Sequence, residues 1–296
     1  MAGVTYRRLM PAEGPFFAAL TFPAYRSWLS SGEPALLAIA VQVDDEPAGL
    51  ALAVREPAGE RAELCSIFVR QAYRRQGLSA GLLERLEAAL REEGAHEVHG
   101  VYMTGKPSTP VLEHLLATRG WDAPERRMLV LRAHYDRMSR APWVAKASLG
   151  DGLTIGRWDA LTSDERAELR RSQEASPWIA PDLIPFDFEE NSYAPASLAL
   201  RRGGKVVGWL ITHRFGDVLR YTCSYVHPEL QRRARILPLY AEVMRRAHAQ
   251  GISQGIWTIP VQHPAMMAFA QRWMAPYAEA CDETRGTRKR LRGLSS

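Results

Sequence analysis

Residues 62–69, Ala62-Glu63-Leu64-Cys65-Ser66-Ile67-Phe68-Val69, run through a connection ending at Tyr73 into Arg74-Arg75-Gln76-Gly77-Leu78-Ser79. The first run reads as a strand, bounded by polar residues and rich in apolar ones. After the second, residues 78–93 place Leu82, Leu83, Leu86, Ala89 and Leu90 at helical spacing, and Gly94 stops the pattern. Between strand and helix lies a basic turn with one glycine. Gly77 lets a backbone approach a ligand closely, and the amides and dipole at the helix start attract an anion. The same string also reads as a basic turn that merely caps a helix.

Working outward, residues 4–9 read as a strand and 15–30 as largely helical. Residues 36–43 and 49–54 form a hairpin around Asp44-Asp45-Glu46-Pro47. Beyond the long helix, 97–103 is a strand, 110–118 a short helix ended by Gly120, and 127–134 a last strand. The order then begins again: 153–158 a strand, 163–172 a helix, 197–200 and 206–213 a hairpin around Arg202-Gly203-Gly204, and 219–226 a strand. Residues 236–250 repeat the long helix with a stop at Gly251, 254–259 a strand and 265–274 a helix. A unit occurring twice predicts an α/β (α+β) chain of two tandem domains, each a mixed, mostly antiparallel central sheet flanked by helices. The expected division is residues 1–138, a linker over 139–151, and residues 152–296.

A chain of 296 residues, 46% hydrophobic and 24% charged, has room for two ordinary cores. The first residues lack the apolar core of a signal peptide and no run is long enough for a membrane span, so a cytoplasmic protein without a membrane partner is expected. Cys65, Cys223 and Cys281 are odd in number and lack CxxC spacing, which speaks against a disulfide framework and a zinc site. The net charge of +5 arises from 38 basic against 33 acidic residues. Such interleaving describes a solvated surface, and a nucleic-acid partner is not expected. The basic run 285–292 reads as a final strand with a solvated tail. His213, His227 and His263 lack metal-ligand spacing, and no metal is expected.

The strand from Ala62 to Val69, the loop to Tyr73 and Arg74 to Ser79 together resemble the core motif of the GNAT superfamily of acyl-CoA-dependent N-acyltransferases. Its pattern is Gln/Arg-x-x-Gly-x-Gly/Ala between a strand and a helix, and Gly120-Trp121 is similar to that family's later Gly-Phe. The resemblance implies an acetyl-CoA-dependent N-acetyltransferase. Arg74, Arg75, Gln76, Gly77, Leu78 and Ser79 would hold the pyrophosphate of the co-substrate. The backbone of Ile67, Phe68 and Val69 would hold the pantetheine, and Thr109 at the head of the short helix is placed with them. Ser79 departs from the usual Gly or Ala. In the second half the matching stretch is Gln231-Arg232-Arg233-Ala234-Arg235-Ile236, with Ala and Ile at both small positions. Unequal tandem halves are similar to mycothiol synthase, a family in which the later domain is catalytic. Here the intact loop favours the first half.

Transfer to an amine with a pKa of about 10.4 requires a base. Glu63, eleven residues before Arg74, stands where some members of the resembling family carry a glutamate base. It also reads as a strand-edge carboxylate facing water. The same offset in the second half gives Arg220, which cannot act as a base. The family's tyrosine acid maps to Leu116, leaving His114 or Tyr102 as substitutes, although a thiolate leaves readily near neutrality. Cys65 lacks a paired base and reads as a buried strand residue. Trp178, Phe186, Phe188 and Tyr193, interleaved with Asp182, Asp187, Glu189 and Glu190, read either as a pocket for a cationic amine or as an aromatic surface loop. The expected acceptor is a primary amine of a small molecule or amino-acid-like substrate. The rivals are an aminoacyl-tRNA-dependent transferase of the Fem type, against which the phosphate loop argues, and a non-catalytic acyl-CoA-binding protein.

Overall fold

The computed structural model describes residues 3–231 and 234–291. Among these residues run twelve strands: β1 (Val4–Arg8), β2 (Leu36–Val43), β3 (Glu46–Arg55), β4 (Arg61–Val69), β5 (Glu97–Met103), β6 (Glu125–His134), β7 (Leu153–Arg157), β8 (Leu198–Arg202), β9 (Lys205–Phe215), β10 (Val218–Val226), β11 (Gln254–Pro260) and β12 (Ala280–Arg290). The chain divides into two compact units. One holds the described residues up to Arg127 and from Glu283 onward, the other Met128–Asp282.

In the first unit the strand order is β1-β2-β3-β4-β5-β12. Only β4 and β5 are parallel; the other neighbours are antiparallel. The helix Leu78–Glu92 packs Leu78, Leu82, Leu83, Leu86 and Leu90 against one face of this sheet, together with Leu116 from the helix Thr109–Thr118. The other face meets Phe17, Leu20 and Leu29 from the segment that includes the helix Pro23–Ser31. The second unit repeats the order as β6-β11-β10-β9-β8-β7, again with one parallel pair, β10 and β11. Its long helix is Leu237–Ala249, and the helix Ser163–Ala175 carries Leu169 to the opposite core.

The unit boundaries differ from a division at 139–151. The strand expected to close the first half serves the second, where Met128–His134 pairs with Gln254–Pro260. Thr284–Arg290 of the chain's last strand instead pairs with Glu97–Met103 in the first unit. Side-chain chemistry accounts for the exchange. Leu129, Leu131 and Ala133 are buried in the second core, whereas Arg285 and Lys289 form ion pairs with Glu113 and Glu87 on the first unit's helices. Met138, Ala141 and Trp143, expected near or within a linker, are buried in the second unit's core.

Candidate active site

Two features of β4 shape the site. Against β3 its register shifts between Leu52↔Ser66 and Ala53↔Leu64, so Cys65 is the extra residue of a β-bulge. One inserted residue inverts the side-chain alternation that follows. Ala62 and Leu64 point to the core under the long helix before the bulge, and Ile67 and Val69 do so after it. Against β5, β4 is paired only from Arg61↔Glu97 to Leu64↔Gly100, although both strands continue. Among the described residues, 65–69 therefore keep β3 on one side and have no strand on the other. Ile67, Phe68 and Val69 lie on this parted edge.

The edge leads to the loop before the long helix. Gly77 is its N-cap with φ 77°, a left-handed conformation that glycine adopts without penalty, and Arg75 has φ 63°. Arg74 turns back, its Nε donating to the Val69 carbonyl at 3.1 Å. Among the described residues no protein group accepts from the N–H groups of residues 75–79, and a Cβ at Gly77 would meet nothing within 4 Å. Arg74, Arg75, Gln76, Gly77, Leu78 and Ser79 thus form one turn of open amides at the head of a helix of 15 residues. This is chemistry suited to a pyrophosphate. Thr109 lies elsewhere, at the start of the short helix, where its hydroxyl accepts from the Lys106 N–H at 3.2 Å.

Glu63 is half-buried just before the bulge, opposite Val54 of β3 and His99 of β5. No side chain among the described residues donates to its carboxylate. The Cys65 thiol donates to the Glu63 carbonyl at 3.3 Å, and Cys65 and Tyr25 pack against the same core. Burial pushes the Cys65 thiol up to about 11 and the Tyr25 phenol up to about 12. Cys65 therefore stays a thiol at neutral pH and is not a nucleophile. His99 and Tyr25 were not singled out by sequence. Strand alternation after Val98 could have pointed to His99, whereas nothing local marks Tyr25.

The candidate acids fare differently. Leu116 is buried in the core, and His114 is exposed on the same helix. Tyr102 donates to Glu113 Oε1 at 2.8 Å, and burial followed by that carboxylate pushes its phenol well above the ordinary value. Its proton is held by Glu113.

In the second unit the same two features recur. A register shift between Tyr221 and Cys223 makes Thr222 the extra residue, and β10 leaves β11 after Tyr221↔Trp257. Gln231 Nε2 donates to the Val226 carbonyl at 3.0 Å, as Arg74 does to Val69. Among the described residues of this loop, amides that are open in the first unit are taken up. The Ala234, Arg235 and Leu237 N–H groups donate to Gln231, Leu230 and Ala234, and Arg235 Nη1 donates to the Ser148 carbonyl at 3.0 Å. Ala234 takes the left-handed conformation of Gly77, with φ 52°. Arg232 and Arg233 lie outside the described residues. Arg220 occupies the position corresponding to Glu63, two residues before the bulge.

The aromatic segment of this unit builds core more than pocket. Trp178, Phe186 and Phe188 pack on Trp158, Trp209 and Ile211, and Trp178 Nε1 donates to Ser172. Tyr193 packs on the other core. Of the interleaved acids, Asp182 is bonded to His263 and Glu189 to Arg166. His213 bonds Thr222 at 2.8 Å and the Glu190 carbonyl at 2.9 Å. No group of three or more potential ligand side chains is assembled for a metal among the described residues. Nor is any of their helices long and apolar enough to cross a membrane.

The bulged strand with a parted neighbour is present in both units, and the glycine loop in the first. Residues 5–116 match the acetyltransferase (GNAT) family. No curated protein matches the sequence. Among solved structures, a tandem GNAT protein from the clavulanic acid biosynthesis pathway is 14% identical with a TM-score of 0.63, the match covering 99% of this chain and 100% of that one. A GCN5-related N-acetyltransferase from Sphaerobacter thermophilus is 18% identical with a TM-score of 0.61, covering 99% and 98%. Residues 5–116 thus carry the sequence signature of the acetyltransferase (GNAT) family, and over its whole length the chain has the fold of tandem GNAT structures.

Proposed function

We propose that the first unit transfers the acetyl group of acetyl-CoA to the primary amine of a small or amino-acid-like acceptor, and that the second unit does not bind CoA. One observation carries this reading: the parted edge at residues 65–69 leads into a loop whose amides at 75–79 are open, while the amides of Ala234 and Arg235, which match Gly77 and Leu78, are consumed by the chain itself. The pyrophosphate would sit on the loop, with the pantetheine along Ile67, Phe68 and Val69. Thr109 is proposed as a further contact from the short helix.

Glu63 takes a proton from the acceptor's ammonium, and the neutral nitrogen attacks the thioester carbonyl. The C–N bond forms, the C–S bond breaks with its electron pair leaving on sulfur, and the proton that the nitrogen still has to lose passes to that thiolate, whose conjugate acid has a pKa of about 8.5, so that no strong acid is needed. The open loop also speaks against the tRNA-dependent rival.

Calorimetric titration with CoA of Gly77→Glu and Ala234→Glu, each checked for folding by circular dichroism, tests the assignment. A glutamate at 77 places a negative charge and a strained left-handed side chain at the loop. It should reduce affinity by about tenfold or more, as expected for lost hydrogen bonds to a charged group, with Ala234→Glu close to wild type. The reverse ranking would move the site to the second unit.

A further inference from the structure

The sheet face that carries Glu63 continues across β5 and β12. Glu63 lies opposite His99, and His99 opposite Arg288, so the three form a row on one face. Val101 and Gly286 are opposite one another two residues further along. The intervening Val98 turns to the core under the long helix, and Gly100 faces Leu64 and Trp121 there. Over His99, Val101, Gly286 and Arg288 lies a cavity of about 520 Å³, bordered also by Arg127.

Most charges around this cavity are matched internally. Arg61 pairs with Glu56 at 3.1 Å, Arg126 with Glu283, and Arg288 with Asp122 at 3.2 Å. Arg127 and Glu125, two residues apart on β6, differ, since neither has a charged side-chain partner among the described residues. The Arg127 stem crosses the backbone of β12 at Gly286, where a Cβ would come within 2.8 Å of its Cδ. Glu63, at the other end of the same face, has no donor either. From strand spacing and rise, two strands across and two residues along separate the Glu63 and Gly286 backbones by about 12 Å. Between Glu63 and the Arg127 stem over Gly286, that span leaves room for one small molecule.

Resting on the first-unit reading above, we propose that the acceptor is a zwitterion, an amine that also carries a carboxylate. Its nitrogen stands at Glu63 and its carboxylate at Arg127, with Val101 beneath and His99 beside it. Two opposite charges lacking protein partners on one face are complementary to a ligand with an ammonium at one end and a carboxylate at the other. A plain alkylamine would leave Arg127 unmatched.

Turnover with acetyl-CoA and calorimetric binding are measured for a set of amino acids and for their carboxamides, which keep the amine and lose only the negative charge. The amino acid should exceed its amide in kcat/KM by about tenfold or more, the scale of a hydrogen-bonded charge pair. Arg127→Met retains the apolar stem over Gly286 and should bring that ratio toward unity through the KM of the acid. Gly286→Ala, which crowds the stem, should act in the same direction. Equal use of acid and amide, absence of any carboxylate-bearing amine among the acceptors, or a ratio that survives Arg127→Met would overturn the proposal. Equal use combined with loss of turnover in Gly77→Glu would sink the zwitterion alone. Undiminished turnover in Gly77→Glu would instead sink the first-unit reading.

Discussion

At the scale of single residues, Glu63 and Cys65 are near neighbours with opposite consequences. Glu63 is half-buried beside the point where β4 and β5 part, and Glu63→Gln keeps its shape while removing its basicity. Acetyl transfer at neutral pH should fall by about 100-fold to 10,000-fold, the usual worth of a general base, with CoA affinity retained. The loss should shrink toward high pH, where more of the amine is already neutral. Full neutral-pH activity would remove Glu63 from that role. Cys65 makes the contrasting case. Its thiol is pushed up to about 11, chiefly by burial, so it should resist alkylation by iodoacetamide at pH 7.5 to about pH 8, far below that value, while the exposed Cys281 reacts. Peptide mapping of the alkylated protein distinguishes the two, and a modified Cys65 would contradict its burial.

At the scale of elements, the helix Ser163–Ala175 opens on a capping box in which the Thr162 hydroxyl accepts from the Glu165 N–H and Glu165 accepts from the Thr162 N–H. Arg201 of β8 bonds the same carboxylate and, with the Thr162 N–H, holds it down to about 2 from an ordinary 4.5. Because the folded value is the lower one, the unfolded chain binds this proton more readily. The stability it supplies is complete above about pH 4.5 and is lost as the pH falls toward 2. Denaturant midpoints measured between those limits should therefore fall more steeply for wild type than for Glu165→Gln. Parallel curves would show that the carboxylate is not linked to folding. Element identity was largely readable from the sequence. The strand at 97–103 and the long helix from Leu78 follow from apolar spacing and a glycine stop, and Gly77 is legible because only a glycine takes its conformation freely. The bulge at Cys65 was not, since it is a property of register with β3 rather than of any residue in β4. Neither was His99, whose relevance comes from a partner on another strand.

At the scale of the molecule, the chain leaves the first unit at Arg127 and returns to it at Glu283, which no local pattern reveals. Alternation marks residues 127–134 and 285–290 as strands without saying which sheet each joins. What decides the return is charge on the inward face of β12: Lys289 pairs with Glu87, a carboxylate only 5% exposed that also accepts from Trp121 Nε1 at 2.8 Å. Removing the cation leaves a buried carboxylate with one neutral donor, and breaking such a pair typically costs about 3–5 kcal/mol. The indole bond places Lys289→Met toward the lower end of that range. The loss should be concentrated in the first unit, so amide exchange across Val98–Met103 of β5 should accelerate while Trp257 and its neighbours on β11 stay protected. Combining Lys289→Met with Glu87→Gln removes the stranded charge and should restore much of the protection. A fragment ending at residue 138 lacks β12 altogether and should show the same exposure of β5 together with loss of CoA binding. If that fragment instead exchanged as slowly as the full chain and bound CoA equally well, the returning strand would not be part of the unit that carries the site.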